Sequence, residues 1–213
     1  MNRTLARQLG FWSSIFVAVL GAVYLLLLIV YFSTQGFVFP PSPFVQLMGG
    51  IITFLTAPGL VVLFTAIHYA NDRRNKILGS LGISFITLFA AMVSINRFVQ
   101  LTVILQSPAG AASQDLARFL PYSTGSVMFA LEMLGWGFFS SLAAVCVAPL
   151  FSGSKLTGAI RWLFLAYAFF SFMSVIGFTT QTPITAGAFI AWGPILLALA
   201  VLLAIHFRTV DAG

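Results

Sequence analysis

The sequence predicts an all-α membrane protein, a bundle of six transmembrane helices in one domain. Of its 213 residues, 60% are hydrophobic and 7% are charged, whereas a soluble domain carries about 25% charged residues. The mean hydropathy is +1.05. Windows of about 20 apolar residues, the length that a helix needs to cross the hydrocarbon core, recur along the whole chain.

Six such windows are found, and short connectors join them. The strands of a membrane barrel would appear as segments of about ten residues that alternate between apolar and polar. The apolar windows here are longer and continuous, so we expect helices. The connectors are too short to fold independently, and residues 1–213 are therefore expected to form one domain. The predicted spans lie near residues 11–33, 44–69, 77–105, 126–151, 160–180 and 184–207.

The first, second and sixth spans each carry a local feature. Arg3 and Arg7 precede the first span as in a secretion signal, but its apolar core is too long and no cleavage site of small residues follows, so we expect it to be retained. Pro58 lies inside the second span and Pro194 inside the sixth. Because proline removes a backbone hydrogen bond, kinks are expected at both positions.

The third and fourth spans contain the charges that point most directly to a site. Arg97 lies in the third span, and Glu132, the sole glutamate of the chain, lies in the fourth. An isolated charge in hydrocarbon costs several kcal/mol, so such residues usually face the protein interior and pair with each other. Counted from the span ends, both lie about 12 Å deep at 1.5 Å per residue. The sequence therefore predicts an ion pair between consecutive antiparallel helices.

Further polar and aromatic side chains share these two helix faces. Asn96, Arg97 and Gln100 fall on one arc of the third helix, which we expect to point into the bundle. Trp136 lies one turn from Glu132 on the fourth helix, and a buried indole needs a hydrogen-bond partner. The candidate ligand-binding residues are Asn96, Arg97, Gln100, Glu132 and Trp136.

Two neighbouring segments leave alternatives open. Tyr167, Ser171 and Ser174 form a stripe on the fifth span, which either packs against other helices or helps to line a cavity. The connector 106–125 contains a segment, 113–121, with the serine start and proline stop of a short surface helix. This segment is either a plain interfacial connector or a lid over the polar residues.

The distribution of cations predicts the orientation. Eight of the ten basic residues lie before the first span, after the sixth, or in the connectors that follow the second and fourth; Arg118 alone lies in a connector on the opposite side. The positive-inside rule therefore places both termini in the cytoplasm, and we expect a bacterial plasma membrane. The eight residues are Arg3, Arg7, Arg73, Arg74, Lys76, Lys155, Arg161 and Arg208.

Several classes of function are disfavoured. The cations form no basic stripe, so we expect contact with lipid headgroups and no nucleic-acid binding. His68 and His206 end two helices without a third metal ligand at a useful spacing, and Cys146 is a lone cysteine, so no metal or cofactor is expected. Catalytic signatures are absent, and an enzyme is not predicted.

Short motifs add a resemblance. An arginine in the third helix, the pair Leu134-Gly135 in the fourth, and the strings 154–156 (Ser-Lys-Leu) and 161–163 (Arg-Trp-Leu) resemble an uncharacterised bacterial family of six-helix membrane proteins. The resemblance covers about the C-terminal two thirds of the chain. It implies the six-helix topology and no particular activity.

Two functions remain open from the sequence. In the first, an outward-facing polar pocket around Arg97 and Glu132 binds or translocates a small or amphiphilic molecule, with Arg97 as the anion-binding group. In the second, the chain is a non-catalytic accessory or scaffold subunit of a membrane complex, and the same pair only fixes the helix register.

Overall fold

The computed structural model describes residues 3–38, 41–70, 76–104, 119 and 125–209, and among these residues it contains helices and no strands. Six helices are long and apolar enough to span a membrane, which confirms the prediction of an all-α chain with six candidate transmembrane helices. They are α1 (Arg3–Gln35), α2 (Pro43–Ala70), α3 (Lys76–Ile104), α4 (Val127–Leu150), α5 (Lys155–Thr180) and α6 (Pro183–Thr209).

Several helices extend beyond the predicted apolar windows. Helix α1 begins at Arg3 instead of residue 11, because backbone hydrogen bonding continues into polar residues that a hydropathy window leaves out. Helix α5 begins at Lys155 instead of residue 160, because Ser154 and Thr157 form a capping box that satisfies its first amide groups. The predicted surface helix 113–121 lies outside the described residues, apart from Phe119.

The six helices form a closed ring in chain order. Each helix packs against the next, and α6 packs back against α1. A Cβ atom built on Gly10, early in α1, would lie 2.5 Å from the ring of Phe207, late in α6. One built on Gly193, earlier in α6, would lie 2.9 Å from Leu25, later in α1, so these two helices are antiparallel and in close contact. We call the end where α1, α3 and α5 begin the proximal end, and the end where they finish the distal end.

The two halves of the ring are filled differently. The proximal half is a packed core in which Ile67, Val147, Ile160 and Leu203 are almost completely buried. Such packing is typical of protein interiors, where few voids exceed the size of a water molecule. The distal half contains the polar residues and a cavity, which are described below.

Three of the helices widen into π-helical turns in this distal half. The π-helical segments are Gln100–Ile104 of α3, Met133–Phe139 of α4 and Ala191–Ile195 of α6. The last of them contains Pro194, which cannot donate the usual backbone bond. By contrast, α2 remains α-helical through Pro58. π-Helical turns are frequent at functional sites. Their occurrence in the distal half of three helices therefore indicates that a functional site lies in this half.

Candidate functional site

The site is built where the end of α3 meets the start of α4. Ser126 caps α4 by accepting a hydrogen bond from the Phe129 amide at 3.2 Å, which fixes where the helix begins. Glu132 is the last residue before the π-helical segment of α4, and Arg97 lies three residues before that of α3. Both wide turns therefore start next to the charged residues.

The charged side chains meet, as the sequence predicts. Nη2 of Arg97 donates a hydrogen bond to Oε1 of Glu132, and Nδ2 of Asn96 donates to Oε2 of the same carboxylate. Nη1 of Arg97 also donates to Oε1 of Gln100 at 2.6 Å. Two consecutive residues of α3 thus hold both oxygens of one carboxylate on α4.

All five predicted site residues are buried, each at most 5% exposed. Removing two charges from water costs several kcal/mol per ion, and their attraction offsets this cost only if further hydrogen bonds are present. The bonds from Asn96 and to Gln100 supply that support. The pair is therefore a costly feature, and geometry alone gives no reason to regard it as a net source of stability.

A cavity of about 290 Å³ lies beside the pair, inside the distal half of the ring. Helices α1, α2, α3, α4 and α6 contribute to its wall, which is mainly aliphatic and aromatic. Arg97 and Glu132 provide the two charged groups of that wall. Its other polar or aromatic side chains are Tyr24, Thr53, Thr56, Phe129, Trp136, Thr185, Phe189 and Trp192.

Two tryptophans join α4 and α6 at the cavity wall. The rings of Trp136 and Trp192 have centroids 5.6 Å apart and are inclined by 39°, and Phe89 packs edge-on against Trp136 at 4.7 Å. Nε1 of Trp192 donates to Oγ of Ser171 at 3.1 Å. Nε1 of Trp136 is fully buried and has no hydrogen-bond partner within the described part of the chain.

The predicted site residues divide into two groups. Arg97, Glu132 and Trp136 border the cavity, whereas Asn96 and Gln100 do not. Asn96 instead forms a hydrogen bond with Glu132, and Gln100 forms one with Arg97. Gln100 faces α2, where a Cβ atom built on Gly50 would lie 3.6 Å from its Oε1 atom. Asn96 and Gln100 therefore position the charged groups and are not themselves wall residues.

The stripe on α5 is a packing feature. Tyr167 donates to Oγ of Ser140 on α4 at 3.0 Å, and Ser171 accepts the bond from Trp192 on α6. Ser174 donates to the Ser171 carbonyl at 2.6 Å. None of the three stripe residues borders the cavity described above, so of the two alternatives the structure favours helix packing.

Sequence reasoning did not identify the wall residues on α1, α2 and α6. Thr53 and Thr56 are three residues apart on one face of α2, and Trp192 precedes Gly193-Pro194, but each of these patterns is common in membrane helices. Their shared position follows from the closure of the ring between α1 and α6, which is a tertiary contact that no local pattern indicates.

The histidines lie away from this site. His68 packs against α3, where a Cβ atom built on Gly79 would lie 2.3 Å from its Nδ1 atom. His206 packs against Phe151, with ring centroids 5.5 Å apart. Among the described residues, no group of three His, Cys, Asp or Glu side chains could hold a metal ion.

Comparison of the chain with protein-family models, with curated proteins and with solved structures gave no match. The resemblance to a bacterial six-helix family therefore stays a prediction. The cavity and its two charged groups, Arg97 and Glu132, are the features of the molecule that indicate a function.

Proposed function

We propose that the protein is a multi-pass membrane protein that binds a small, amphiphilic or apolar molecule in the cavity between its helices. The observation that carries the proposal is the composition of the wall: it is largely apolar, yet one buried ion pair, Arg97 with Glu132, forms part of it. Pockets that bind small molecules are mostly apolar with a few well-placed polar groups.

The size of the cavity supports a ligand larger than a few waters. A dry apolar cavity of about 150 Å³ accommodates benzene, and the volume here is about 290 Å³. Binding pockets for small molecules begin at about 300 Å³. The cavity therefore has the size expected for a compact ligand or for part of a flexible chain.

The ion pair has a clearer role in a binding site than in a scaffold. A register between two helices needs one bond, whereas here Asn96, Arg97 and Gln100 all act to place one carboxylate at a cavity wall. Charged residues inside membrane bundles usually mark ligand or ion pathways. The pair is closed, so Arg97 would bind an anion only after release from Glu132.

We further propose that both termini face the cytoplasm of a bacterial plasma membrane. Lys155 and Arg161 are exposed at the proximal end, in agreement with the positive-inside rule. Trp12 and Trp162, at 67% and 71% exposed, lie near the same end, as expected for an aromatic belt at the headgroup level.

Two glycine variants test the binding proposal. Gly21 borders the cavity, and a Cβ atom there would approach only Leu197, at 3.9 Å, so the side chain of Gly21→Leu starts from an unobstructed position and should occupy part of the cavity. Gly158 has no neighbour within 4 Å of its Cβ position, and Gly158→Leu is the matched control. Native mass spectrometry of both variants in mild detergent should show a bound small molecule on Gly158→Leu and a reduced amount on Gly21→Leu.

The opposite result would support the accessory or scaffold function. An adduct that is equally abundant in both variants would mean that the molecule binds elsewhere. A bare monomer in both, or a co-purified protein subunit that survives cavity filling, would reduce Arg97 and Glu132 to a structural role.

A further inference from the structure

The threonine hydroxyl groups at the cavity wall are already used as hydrogen-bond donors within the protein. Three threonines border the cavity, and each donates its hydroxyl proton to its own helix or to the adjoining turn. Oγ1 of Thr53 donates to the Gly49 carbonyl at 2.8 Å, and Oγ1 of Thr56 donates to the Ile52 carbonyl at 2.8 Å. Because a hydroxyl has one proton and two lone pairs, these groups can only accept a bond from a ligand.

The hydroxyl group of Thr185 and the indole groups of the two tryptophans follow the same rule. Oγ1 of Thr185 donates to the Thr182 carbonyl at 2.9 Å, and Nε1 of Trp192 donates to Ser171. Nε1 of Trp136 is fully buried and is not exposed to the cavity. The hydroxyl and indole protons of these residues are thus directed away from the ligand.

Glu132 retains accepting capacity. An ionised carboxylate offers about four lone-pair sites, and two are occupied by Asn96 and Arg97. Glu132 borders the cavity and 7% of its side chain is exposed, which leaves a route for a donor on the ligand to reach a remaining site. A hydrogen bond from an uncharged ligand to a charged carboxylate is stronger than one to a neutral acceptor.

The charge balance of the wall selects against ions. Arg97 and Glu132 are the charged residues of the wall, and they neutralise each other. A charged ligand would therefore bring an uncompensated charge into a mainly apolar space, at a cost of several kcal/mol. An uncharged ligand avoids this cost.

We propose that the ligand is an uncharged lipophile with a hydroxyl donor, a lipophilic alcohol or phenol, whose hydroxyl group binds Glu132 and whose apolar part fills the aromatic cavity. This inference rests on the proposed binding function. It differs from the expectation that Arg97 binds an anion, because here the ion pair stays closed and Glu132 is the group that contacts the ligand.

A ligand series of constant size tests the inference in lipid nanodiscs. The probes are decanol, methyl nonyl ether, decanoate and decylammonium, and isothermal titration calorimetry gives the affinity of each for the Gly158→Leu variant. The signal from Gly21→Leu, in which the cavity is partly filled, is subtracted to remove partition into the lipid. Decanol should bind about tenfold or more tightly than the ether, which has the same size but no proton to donate. Both ions should bind more weakly than decanol.

The outcomes separate this inference from the proposed function. If the ether or either ion binds as tightly as decanol, and binding still depends on Gly21, the cavity is a binding site and the proposed ligand class is wrong. If no probe distinguishes Gly21→Leu from Gly158→Leu, the binding function itself fails. The series requires no substitution at Glu132, so a folding defect at that position cannot obscure the result.

Discussion

At the scale of single residues, the carboxylate of Glu132 links two helices and the cavity. It is the only acidic side chain in the described part of the chain, and it accepts bonds from Asn96 and Arg97 while bordering the cavity. The pairing itself could be predicted from the sequence, because two isolated charges at similar depth have no cheaper partner than each other. The support from Gln100 involves a π-helical turn, which periodicity does not reveal.

Removing either charge should destabilise the protein. Glu132→Gln and Arg97→Met each leave one buried charge without its counter-ion. We expect a cost of about 3 to 5 kcal/mol for each single variant, measured by thermal unfolding in detergent. The double variant should cost less than the sum of the two. Additive losses would show that the two side chains do not interact.

The two cavity tryptophans provide a second test at this scale. Replacement by phenylalanine removes similar volume at both positions, but only Trp192 loses an observed hydrogen bond, the one to Ser171. Trp192→Phe should therefore be less stable than Trp136→Phe by about 1 kcal/mol. Denaturant or thermal unfolding of the two variants under identical conditions measures the difference. Equal stability would mean that the Trp192 bond contributes nothing.

At the scale of elements, α4 is held by close contacts on both sides. A Cβ atom built on Gly135 would lie 3.3 Å from Val93 of α3, and one built on Gly137 would lie 2.3 Å from Cγ2 of Val175 on α5. Small residues allow membrane helices to approach closely, since packing and not the hydrophobic effect holds them together. The sequence shows that residues 135 and 137 are small, but not which helix each of them faces.

The contact between α4 and α5 can be tested by overpacking and rescue. Gly137→Ala should destabilise the protein by about 1 to 3 kcal/mol because the new methyl group overlaps Val175. Val175→Ala in the same chain should recover part of that loss, since it removes the overlapping atoms. Gly158→Ala, with no neighbour within 4 Å, is the control. If thermal unfolding shows no recovery of stability in the double variant, Gly137 does not pack against Val175.

The elements also show why part of the fold could be predicted and part could not. The number and type of the spanning helices follow from the length of the apolar segments. Each of the six predicted spans therefore coincides with a helix of the structure. The three π-helical segments and the shared wall of α1, α2 and α6 depend on packing between distant segments. Hydropathy contains no information about such contacts, so the cavity could not be placed from the sequence.

At the scale of the whole molecule, the ring has a packed proximal half and a hollow distal half. The core residues Ile67, Val147 and Leu203 fill the proximal half, whereas the cavity and the ion pair lie in the distal half. A solid core at one end can hold the helices in place while the other end retains a void. With the termini in the cytoplasm, as we propose, the cavity would lie in the outer half of the membrane.

This orientation can be measured by labelling single cysteines. Cys146 is half-buried and is first replaced by serine. Gln35→Cys then introduces a thiol at the distal end and Ser152→Cys one at the proximal end, both at exposed positions. In intact spheroplasts, a membrane-impermeant maleimide should label residue 35 and should reach residue 152 only after permeabilisation, because the cations concentrated at the proximal end are expected to stay in the cytoplasm. Labelling in the reverse order would place the cavity in the cytoplasmic half, and the ligand would then have to enter from the inner leaflet or the cytoplasm.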